Sequence, residues 1–377
     1  MDLYFDNAAS CRPFEWAADL FLKTSLEHYA NQEASGRLGI RAKKLVDEAS
    51  SRLASALAPG ASVCWCGTGT DALRMAIQAH CSSHPGTEII TTAAEHPALG
   101  QAILKFAAMH GITVRQAKLS HCGELKEESL RALISPKTSM VAIHHVHSET
   151  GFIQDLVKIR SILDTVPHKI VFLADTMQSA GKLRIPWDEA KLDFCCVSGC
   201  KIGSPGGAAL LFRDSPDRIV SQRVLSIRRH DHAVGRCLPA AAHVLSLAAE
   251  RIMGDLNARA ERIRNIRQDL LDFILKNSPC KVIETVSSEQ ASPYILHLIF
   301  PELQGAVLVR ILESQGVSAA AGSACMAETA EPSAVLTAMG YPKNTAFGAF
   351  RVSFWDDTTD EDVKVFKNIL LEALKNY

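Results

Sequence analysis

An aspartate and a lysine, each placed just after a predicted buried strand, have the types and the spacing that could perform chemistry. Asp175 follows the apolar run 170–173, and Lys201 follows a second apolar run, 194–197, which Ser198 ends. Open α/β sheets bind ligands at the carboxyl ends of their strands, so we expect both side chains to face one crevice. A lysine that is desolvated there can lose its proton, and the free amine can form a Schiff base with an aldehyde.

A carboxylate beside that amine indicates which aldehyde would bind. Pyridoxal 5'-phosphate (PLP) carries an aldehyde, and an Asp can keep its ring nitrogen protonated so that the ring accepts electrons. The alternative is a surface lysine in a turn and an aspartate that caps the next helix. The ordered set Asp175, Gln178, Ser198 and Lys201, with the glycines that follow it, favours the cofactor.

Strands and a glycine turn must position these groups. Strands are predicted from apolar runs at 62–66, 170–173, 194–197 and 208–212. The first leads through Gly67 and Gly69 into a predicted helix, an arrangement that binds anions because free N–H groups and the helix dipole face the ligand. The spacing from Gly67 to Ala72 also fits a dinucleotide fingerprint, which requires an acid at the end of the next strand. Glu88 begins that strand instead, so the fit is poor.

The composition allows a large globular enzyme and excludes other classes of protein. A chain of 377 residues with 47% hydrophobic residues can bury a large core in two or three domains. The formal net charge of -1 gives no electrostatic case for binding nucleic acid or an anionic membrane. No apolar run reaches the roughly 18 residues of a membrane span. The N-terminal residues lack a signal-peptide pattern, so we expect a cytoplasmic protein.

The cysteines and histidines offer two weak alternatives in which a metal binds. The chain has 11 cysteines, an odd number, and their scatter indicates a reducing compartment. Cys195, Cys196 and Cys200 cluster, but no second pair has finger-like spacing. His145 and His147 would share one face of a strand without an acidic or cysteine partner. We therefore expect no metal site.

Two segments give the chain a family resemblance. The sequences ADTMQSAGK, at 174–182, and SGCKIGSPGGAALL, at 198–211, resemble the PLP core of class V aminotransferases, and most of all that of the cysteine desulfurases. The resemblance implies the type I PLP-dependent transferase fold, an α/β fold whose large domain has a mostly parallel seven-stranded sheet. It implies a large domain at 13–250, a small α/β C-terminal domain at 251–377 that includes residues 1–12, and a homodimer with sites at the interface.

The resemblance also assigns residues to the cofactor. It implies that Lys201 holds PLP, that Asp175 pairs with the ring nitrogen and that Gln178 bonds the ring hydroxyl. His96, in a Glu-His-x-Ala motif, would lie flat on the ring and help to move protons. The phosphate would bind at the turn centred on Gly69 and Thr70, with help from Ser198.

A further set of residues is implied for the substrate. Arg351 has the family's place for binding the substrate α-carboxylate, which suits a guanidinium. Ala8 and Ser148 would line the substrate pocket. Cys325, in a GSAC sequence followed by Glu331 and Pro332, matches the nucleophile loop of the desulfurases.

The chain departs from the family pattern at several positions. Gly36 stands where desulfurases usually have a histidine, and His147 and Ser148 replace two asparagines. Cys200 replaces a histidine, and the segment 213–236 lacks the Arg-Ser-Gly-Thr sequence that reaches the partner's phosphate. Because two phosphate contacts are lost, we expect weaker retention of PLP than in typical relatives.

The sequence therefore predicts a PLP-dependent cysteine desulfurase-like enzyme. It would move sulfur from L-cysteine, or act on another small amino acid, with a persulfide on Cys325 and release of alanine. An acceptor or scaffold protein, as in iron–sulfur cluster assembly, would then receive the sulfur. Two alternatives stay open: another class V enzyme, such as an aminotransferase or β-lyase, and a catalytically silent paralogue that serves as a binding partner.

Overall fold

A seven-stranded sheet forms the centre of the protein. The computed structural model describes residues 2–213, 222–224, 226–227, 238–322 and 331–377. The central strands are β2 (Ser62–Cys66), β3 (Glu88–Thr92), β4 (Thr113–Ala117), β5 (Thr138–His144), β6 (Val171–Asp175), β7 (Phe194–Ser198) and β8 (Ala208–Phe212). Their order is β2-β8-β7-β6-β5-β3-β4, and only β8 pairs with its neighbours in an antiparallel way. The prediction of a mostly parallel seven-stranded sheet is confirmed.

Helices cover both faces of this sheet. Alternate residues of β6 belong to two different hydrophobic clusters, with Phe172 in one and Leu173 in the other. The first cluster includes side chains from the helices at 37–57 and 239–254, and the second includes side chains from the helix at 69–83. Strands buried on both faces need apolar side chains at successive positions, which is why these strands are continuous apolar runs in the sequence.

The following helices lie within the described ranges. They are α1 (Glu15–Glu27), α2 (Arg37–Leu57), α3 (Gly69–Ser83), α4 (Pro97–Met109), α5 (Glu127–Leu133), α6 (Leu156–Leu163), α7 (Pro239–Gly254), α8 (Leu256–Asn277), α9 (Gly305–Ser314), α10 (Ala334–Ala338), α11 (Lys343–Ala346) and α12 (Asp360–Lys375). Between Pro239 and Asn277 the chain forms two helices, α7 and α8, instead of one continuous helix. The chain leaves the helical path at Asp255, whose φ is -117° and ψ is 16°.

The C-terminal part of the chain carries a second, smaller sheet. Strands β9 (Ile283–Glu284), β10 (Ile295–Ile299) and β12 (Ala349–Ser353) are antiparallel in the order β12-β10-β9. The N-terminal strand β1 (Leu3–Tyr4) pairs in parallel with β11 (Val317–Ser318), and Asp6 forms a bridge with Ser353. Residues at the start of the chain thus contact the C-terminal strands, while the division into domains at residue 250 stays a prediction.

Two further structural findings concern function. None of the helices in the described ranges is long and apolar enough to cross a membrane. Among the same residues, no group of three or more His, Cys, Asp and Glu side chains could hold a metal ion.

Candidate active site

The carboxyl ends of strands β2, β5, β6 and β7 surround a cavity of about 460 Å³. Every predicted site residue except Cys325 lines this cavity: Ala8, Gly69, Thr70, His96, Ser148, Asp175, Gln178, Ser198, Lys201 and Arg351. Cys325 lies outside the described residues. The structure therefore brings together groups that are up to 343 positions apart (351 minus 8) in the sequence.

Lys201 ends a short 3-10 helix (Gly199–Lys201) that directly follows β7. Its Nζ donates hydrogen bonds to the carbonyl oxygens of Ala8, at 2.8 Å, and Ala9. Gly199 allows this turn because a Cβ at this position would collide with the backbone of Gly206. The glycine-rich segment after the lysine thus folds back closely and presents the amine to the cavity.

Asp175 is the last residue of β6 and is buried, with 6% of its surface exposed. The backbone N–H of Met177 donates to its Oδ1 at 3.0 Å. Burial raises the pKa of the Asp175 carboxyl above its usual range, while the Met177 N–H and the nearby His96 oppose the rise. A buried carboxyl of this kind is well placed to pair with a cationic group in the cavity.

Gln178 connects two lysines through its amide group. Its Nε2 donates to the carbonyl oxygen of Ala8 at 2.7 Å, the oxygen that Lys201 also contacts. Its Oε1 accepts a hydrogen bond from Nζ of Lys182 at 3.2 Å. The Ala8 carbonyl is consequently shared by Gln178 and Lys201.

His96 is the N-cap residue of α4, and its Nδ1 accepts a hydrogen bond from the N–H of Ala98 at 3.2 Å. Nε2 is therefore the ring nitrogen that carries the proton. Desolvation by the cavity walls lowers the pKa of His96, and the Asp175 carboxylate opposes this change. The neighbouring Glu95 is buried and accepts hydrogen bonds from the N–H and Nδ1 of His144, which ties α4 to the end of β5.

The predicted anion-binding turn forms another end of the cavity lining, with Gly67, Thr68, Gly69 and Thr70 among the lining residues. Thr68 caps α3 in a capping box with Asp71, so that Thr68 Oγ1 accepts from the Asp71 N–H and Asp71 Oδ2 accepts from the Thr68 N–H. Thr70 is exposed beside them. Cys200 lines the cavity as well, and its Sγ lies 3.2 Å from Ser198 Oγ. The polar groups at this end are thus N–H groups, hydroxyls and a thiol.

Arg351, in β12, is buried and already has two partners. Its Nη1 donates to the carbonyl oxygen of Ser148 at 2.9 Å, and its Nη2 pairs with Asp6 Oδ1 at 2.5 Å. Within the described part of the chain, Nε of Arg351 has no hydrogen-bond partner. The guanidinium is therefore held in place by one carboxylate and one carbonyl oxygen.

His147 has a structural role that the sequence did not reveal. The prediction that His145 and His147 share a strand face is wrong, because β5 ends at His144. Nε2 of His147 donates to the carbonyl of Ala94 at 2.8 Å, and its Nδ1 accepts from the N–H groups of Glu149 and Thr150. Burial holds the pKa of His147 well below its usual value, so the ring is neutral and braces the turn that carries Ser148.

Three residues near the cavity were not predicted from the sequence. They are Asp6, which pairs with Arg351; His144, which lines the cavity; and Lys182, which contacts Gln178. Lys182 offered one signal, since it follows Gln178 by four residues, a spacing that brings side chains together in a helical turn. Asp6 offered none, because its partner is 345 positions away.

Comparison with known proteins gives a consistent result. A family model described as Aminotransferase class-V matches residues 3–220 and 232–366. The chain is 26% identical over 368 residues to the putative cysteine desulfurase NifS of Bacillus subtilis, with 96% of this chain and 92% of that protein covered. It is 27% identical over 380 residues to the cysteine desulfurase of Trichormus azollae, with 99% and 93% covered.

Solved structures are similar over the full length. One, a NifS-like protein, superimposes with a TM-score of 0.86 at 21% identity, and all of both chains is covered. A NifS-like protein from Rickettsia africae gives a TM-score of 0.83 at 19% identity, again with both chains covered completely. At these identities the structural likeness supports the fold.

Proposed function

Because the chain belongs to the class V aminotransferase family of PLP-dependent enzymes, we propose that it is a cysteine desulfurase that transfers sulfur from L-cysteine to Cys325 and releases alanine. The curated relatives named cysteine desulfurase support an enzyme of this general type. The observation that carries the finer proposal is the convergence of an amine, a buried carboxyl, a histidine and an arginine on one cavity.

The residues around the cavity fit PLP. Lys201 offers the primary amine that its aldehyde requires, Asp175 a buried carboxyl for the ring nitrogen, and Gln178 an amide N–H for the ring hydroxyl. Thr70 and Ser198, beside the N-terminus of α3, offer hydroxyl and N–H donors for the phosphate. When bound, PLP supplies an electron sink for the charge that develops at the substrate α-carbon.

Two groups in the cavity can move the substrate's α-proton. The amine of Lys201 can accept this proton when it is neutral, whereas His96, whose Nε2 carries a proton while Nδ1 is occupied by the Ala98 N–H, can donate a proton back. Asp175 would hold its negative charge once a cation lies beside it, because the Coulomb attraction offsets the burial that raises its pKa. The carboxylate would in this way keep the ring nitrogen protonated.

Arg351 is the group that would bind the substrate carboxylate. Asp6 and the Ser148 carbonyl fix the guanidinium in one orientation. Arg351 lines the cavity, so its positive charge would attract the incoming carboxylate. Ser148 and Ala8 line the cavity as well, where they would contact a small amino acid.

The position of the segment that contains Cys325 supports its proposed role. Both described ends of that segment contact Glu149: the Ser333 hydroxyl donates to its carboxylate, and a Cβ on Gly322 would lie 3.4 Å from its Oε1. Glu149 directly follows Ser148, which lines the cavity. Cys325 follows Gly322 by three residues, which span at most about 11 Å, and this short separation supports the proposal that Cys325 acts at the cavity.

The sulfur transfer balances with the groups named. The Cys325 thiolate attacks the sulfur of cysteine, an S–S bond forms, and the C–S bond of the substrate breaks. The carbon keeps that electron pair and takes up a proton to give alanine. A persulfide remains on Cys325, and an acceptor or scaffold protein, such as one used in iron–sulfur cluster assembly, would receive its sulfur.

The test compares Cys325→Ser with Cys280→Ser, a cysteine in the C-terminal part that is only partly exposed. We expect Cys325→Ser to abolish the formation of alanine and sulfide from cysteine while PLP remains bound, and Cys280→Ser to keep the wild-type rate. Lys201→Ala should lose covalently attached PLP, seen as a loss of the cofactor's absorbance. Equal alanine rates in wild type and Cys325→Ser would refute sulfur transfer to Cys325, and formation of a keto acid in place of alanine would favour an aminotransferase or β-lyase.

The proposal includes a homodimer in the cytoplasm. Helix α1, the segment that follows it and the start of α2 expose several large apolar side chains, Leu22, Leu26, Tyr29, Leu38 and Ile40, which a second copy could cover. The described cysteines are all free thiols, which supports a reducing compartment. Light scattering at micromolar concentration should give the mass of two chains, and a monomer would contradict the dimer.

A further inference from the structure

Lys182 is a buried amine that the proposed chemistry does not use. Only 1% of its surface is exposed, and among the described residues no carboxylate lies within ion-pair distance of its Nζ. Its hydrogen-bond partner is Oε1 of Gln178, at 3.2 Å. Burial lowers the pKa of Lys182, and the nearby charge of Lys201 lowers it further. A buried ammonium without a carboxylate partner costs stability, so its presence calls for a functional reason.

Aromatic rings from the C-terminal part of the chain hold this amine in place. Nζ of Lys182 lies 5.6 Å from the centre of the Trp355 ring and 5.9 Å from that of Tyr294. Tyr294 directly precedes β10, and Trp355 follows β12 by two positions. The rings surround the ammonium with the negative faces of their π systems, which partly replaces lost hydration.

The ammonium determines which way the Gln178 amide points. The oxygen and nitrogen of a glutamine amide have nearly the same shape, so neighbouring groups decide their orientation. An ammonium only donates hydrogen bonds, so the atom that faces Lys182 must be the Gln178 oxygen. The amide nitrogen is then directed towards the Ala8 carbonyl and the cavity, where Lys201 contacts the same carbonyl.

We propose that Lys182 is a positioning residue of the cofactor site, which acts through Gln178 by keeping its amide N–H directed at the cavity. The inference rests on the proposed function in one respect, namely that PLP binds beside Gln178. Lys182 itself does not line the cavity and so acts through another residue.

The first test separates positioning from stability. Lys182→Met removes the donor and keeps the length of the side chain. We expect the free energy of unfolding of the cofactor-free protein, measured in urea, to stay equal or rise, because the cost of burying an ammonium is removed. The dissociation constant for PLP should rise about tenfold, the value of one hydrogen bond. Lys158→Met, which removes an exposed lysine paired with Glu124, should change neither quantity.

The second test asks whether Lys182 acts through Gln178. Gln178→Met should also raise the PLP dissociation constant about tenfold, and the double variant should remain near tenfold rather than reach about a hundredfold. Both single variants should shift the absorbance maximum of bound PLP in the same direction. Lys182→Arg, which keeps a cationic donor, should recover most of the affinity and the wild-type spectrum.

Three outcomes would overturn the inference. The first is a wild-type dissociation constant and spectrum in Lys182→Met, and the second is additive effects on the dissociation constant in the double variant. The third is a fall in the unfolding free energy of cofactor-free Lys182→Met that matches its loss of PLP affinity and is not recovered by Lys182→Arg. These results are distinct from a failure of the proposed function. Failure of PLP binding would appear in the wild-type protein as absent cofactor absorbance, and failure of the desulfurase chemistry would appear in the alanine assay alone.

Discussion

The floor and the rim of the active-site cavity are built differently. The floor consists of Asp175, Gln178 and Lys201, whose side chains are buried or half-buried and each have a fixed partner in the protein. The rim consists of the exposed turn around Thr70 together with Cys200. Floor residues are thus oriented by the protein itself, whereas the rim offers mainly backbone N–H groups and a helix N-terminus.

This difference indicates a division of roles. Groups that are already oriented in a water-poor environment stabilise a charge in the transition state without reorganising first, so they affect the rate. A helix N-terminus that is exposed to solvent binds a phosphate with modest energy, which affects affinity. We therefore expect substitutions on the floor to change turnover even when PLP is saturating, whatever they also do to PLP affinity, and substitutions on the rim to change mainly the retention of PLP.

The largest effect should come from Asp175→Asn. The amide keeps the shape of the carboxyl but cannot carry the negative charge that a protonated ring nitrogen requires. We expect the rate of alanine formation at saturating PLP to fall by about 10²- to 10³-fold. The cofactor-free protein should unfold at the same or a higher urea concentration, because a buried carboxyl whose pKa is raised is costly to ionise.

The control for this variant lies on the rim. Thr70→Ala removes an exposed hydroxyl and should weaken PLP binding while turnover at saturating PLP stays within about threefold, the value of less than one hydrogen bond. The distinction between floor and rim would be wrong if Asp175→Asn changed only the dissociation constant for PLP and Thr70→Ala changed only the turnover.

Acid pH should lower the free energy of unfolding through His145, a residue that contacts Asp175 of the floor. The backbone N–H of His145 donates to the Asp175 carbonyl. The imidazole of His145 is buried, and burial lowers its pKa to about 4. Between pH 6.5 and pH 4 the unfolded chain binds a proton that the folded His145 does not, so the free energy of unfolding falls as the pH falls. The loss for this one residue is about 2 kcal/mol between pH 6.5 and pH 5.

The measurement is the slope of unfolding free energy against pH for His145→Gln. The slope should decrease by about one proton, or about 1.4 kcal/mol per pH unit, in this range. His80→Gln, in α3, is a matched control, because burial lowers the pKa of His80 to about 3. It should reduce the slope similarly but leave the affinity for PLP unchanged. A slope that His145→Gln leaves unaltered would show that His145 is protonated in the folded protein.

Much of the floor could be predicted from the sequence, because local patterns determine it. Asp175 and Ser198 end strands that are continuous apolar runs, and Lys201 lies in a glycine-rich turn. Parallel strands bring their carboxyl ends to one edge, so residues in these places meet without knowledge of the remaining fold. The turn from Gly67 to Thr70 was predictable for a similar reason, since a strand, a glycine turn and a helix start are adjacent in the sequence.

Partners from distant segments could not be predicted. Asp6 pairs with Arg351 only because the N-terminal segment joins the C-terminal sheet, a contact without a local pattern. Lys182 is buried by Tyr294 and Trp355, which are more than 100 positions away, although a lysine is ordinarily exposed. His147 was compared with a family asparagine, but its actual partner is the carbonyl of a segment some 50 positions earlier.

A substitution at Cys200 that increases PLP affinity would test the expectation that this residue weakens the binding of the phosphate. A histidine at this position would supply an N–H donor, and a positive charge when protonated, beside the bound phosphate. We expect Cys200→His to lower the dissociation constant for PLP about tenfold. Cys280→His, remote from the cavity, is the control and should have no effect. Unchanged retention of PLP in Cys200→His would mean that other groups already neutralise the phosphate.

The smallest expected effect compares two capping boxes with the same residues. Thr68 and Asp71 cap α3 at the rim, and Thr359 and Asp362 cap α12 far from the cavity. Asp71→Ala and Asp362→Ala should each lower the free energy of unfolding by about 1 kcal/mol, since each removes an acceptor from a helix N-terminus. Asp71→Ala alone should also raise the dissociation constant for PLP, by about threefold, because the turn that presents its N–H groups is less ordered. The same dissociation constant in both variants would mean that this turn is ordered without its cap.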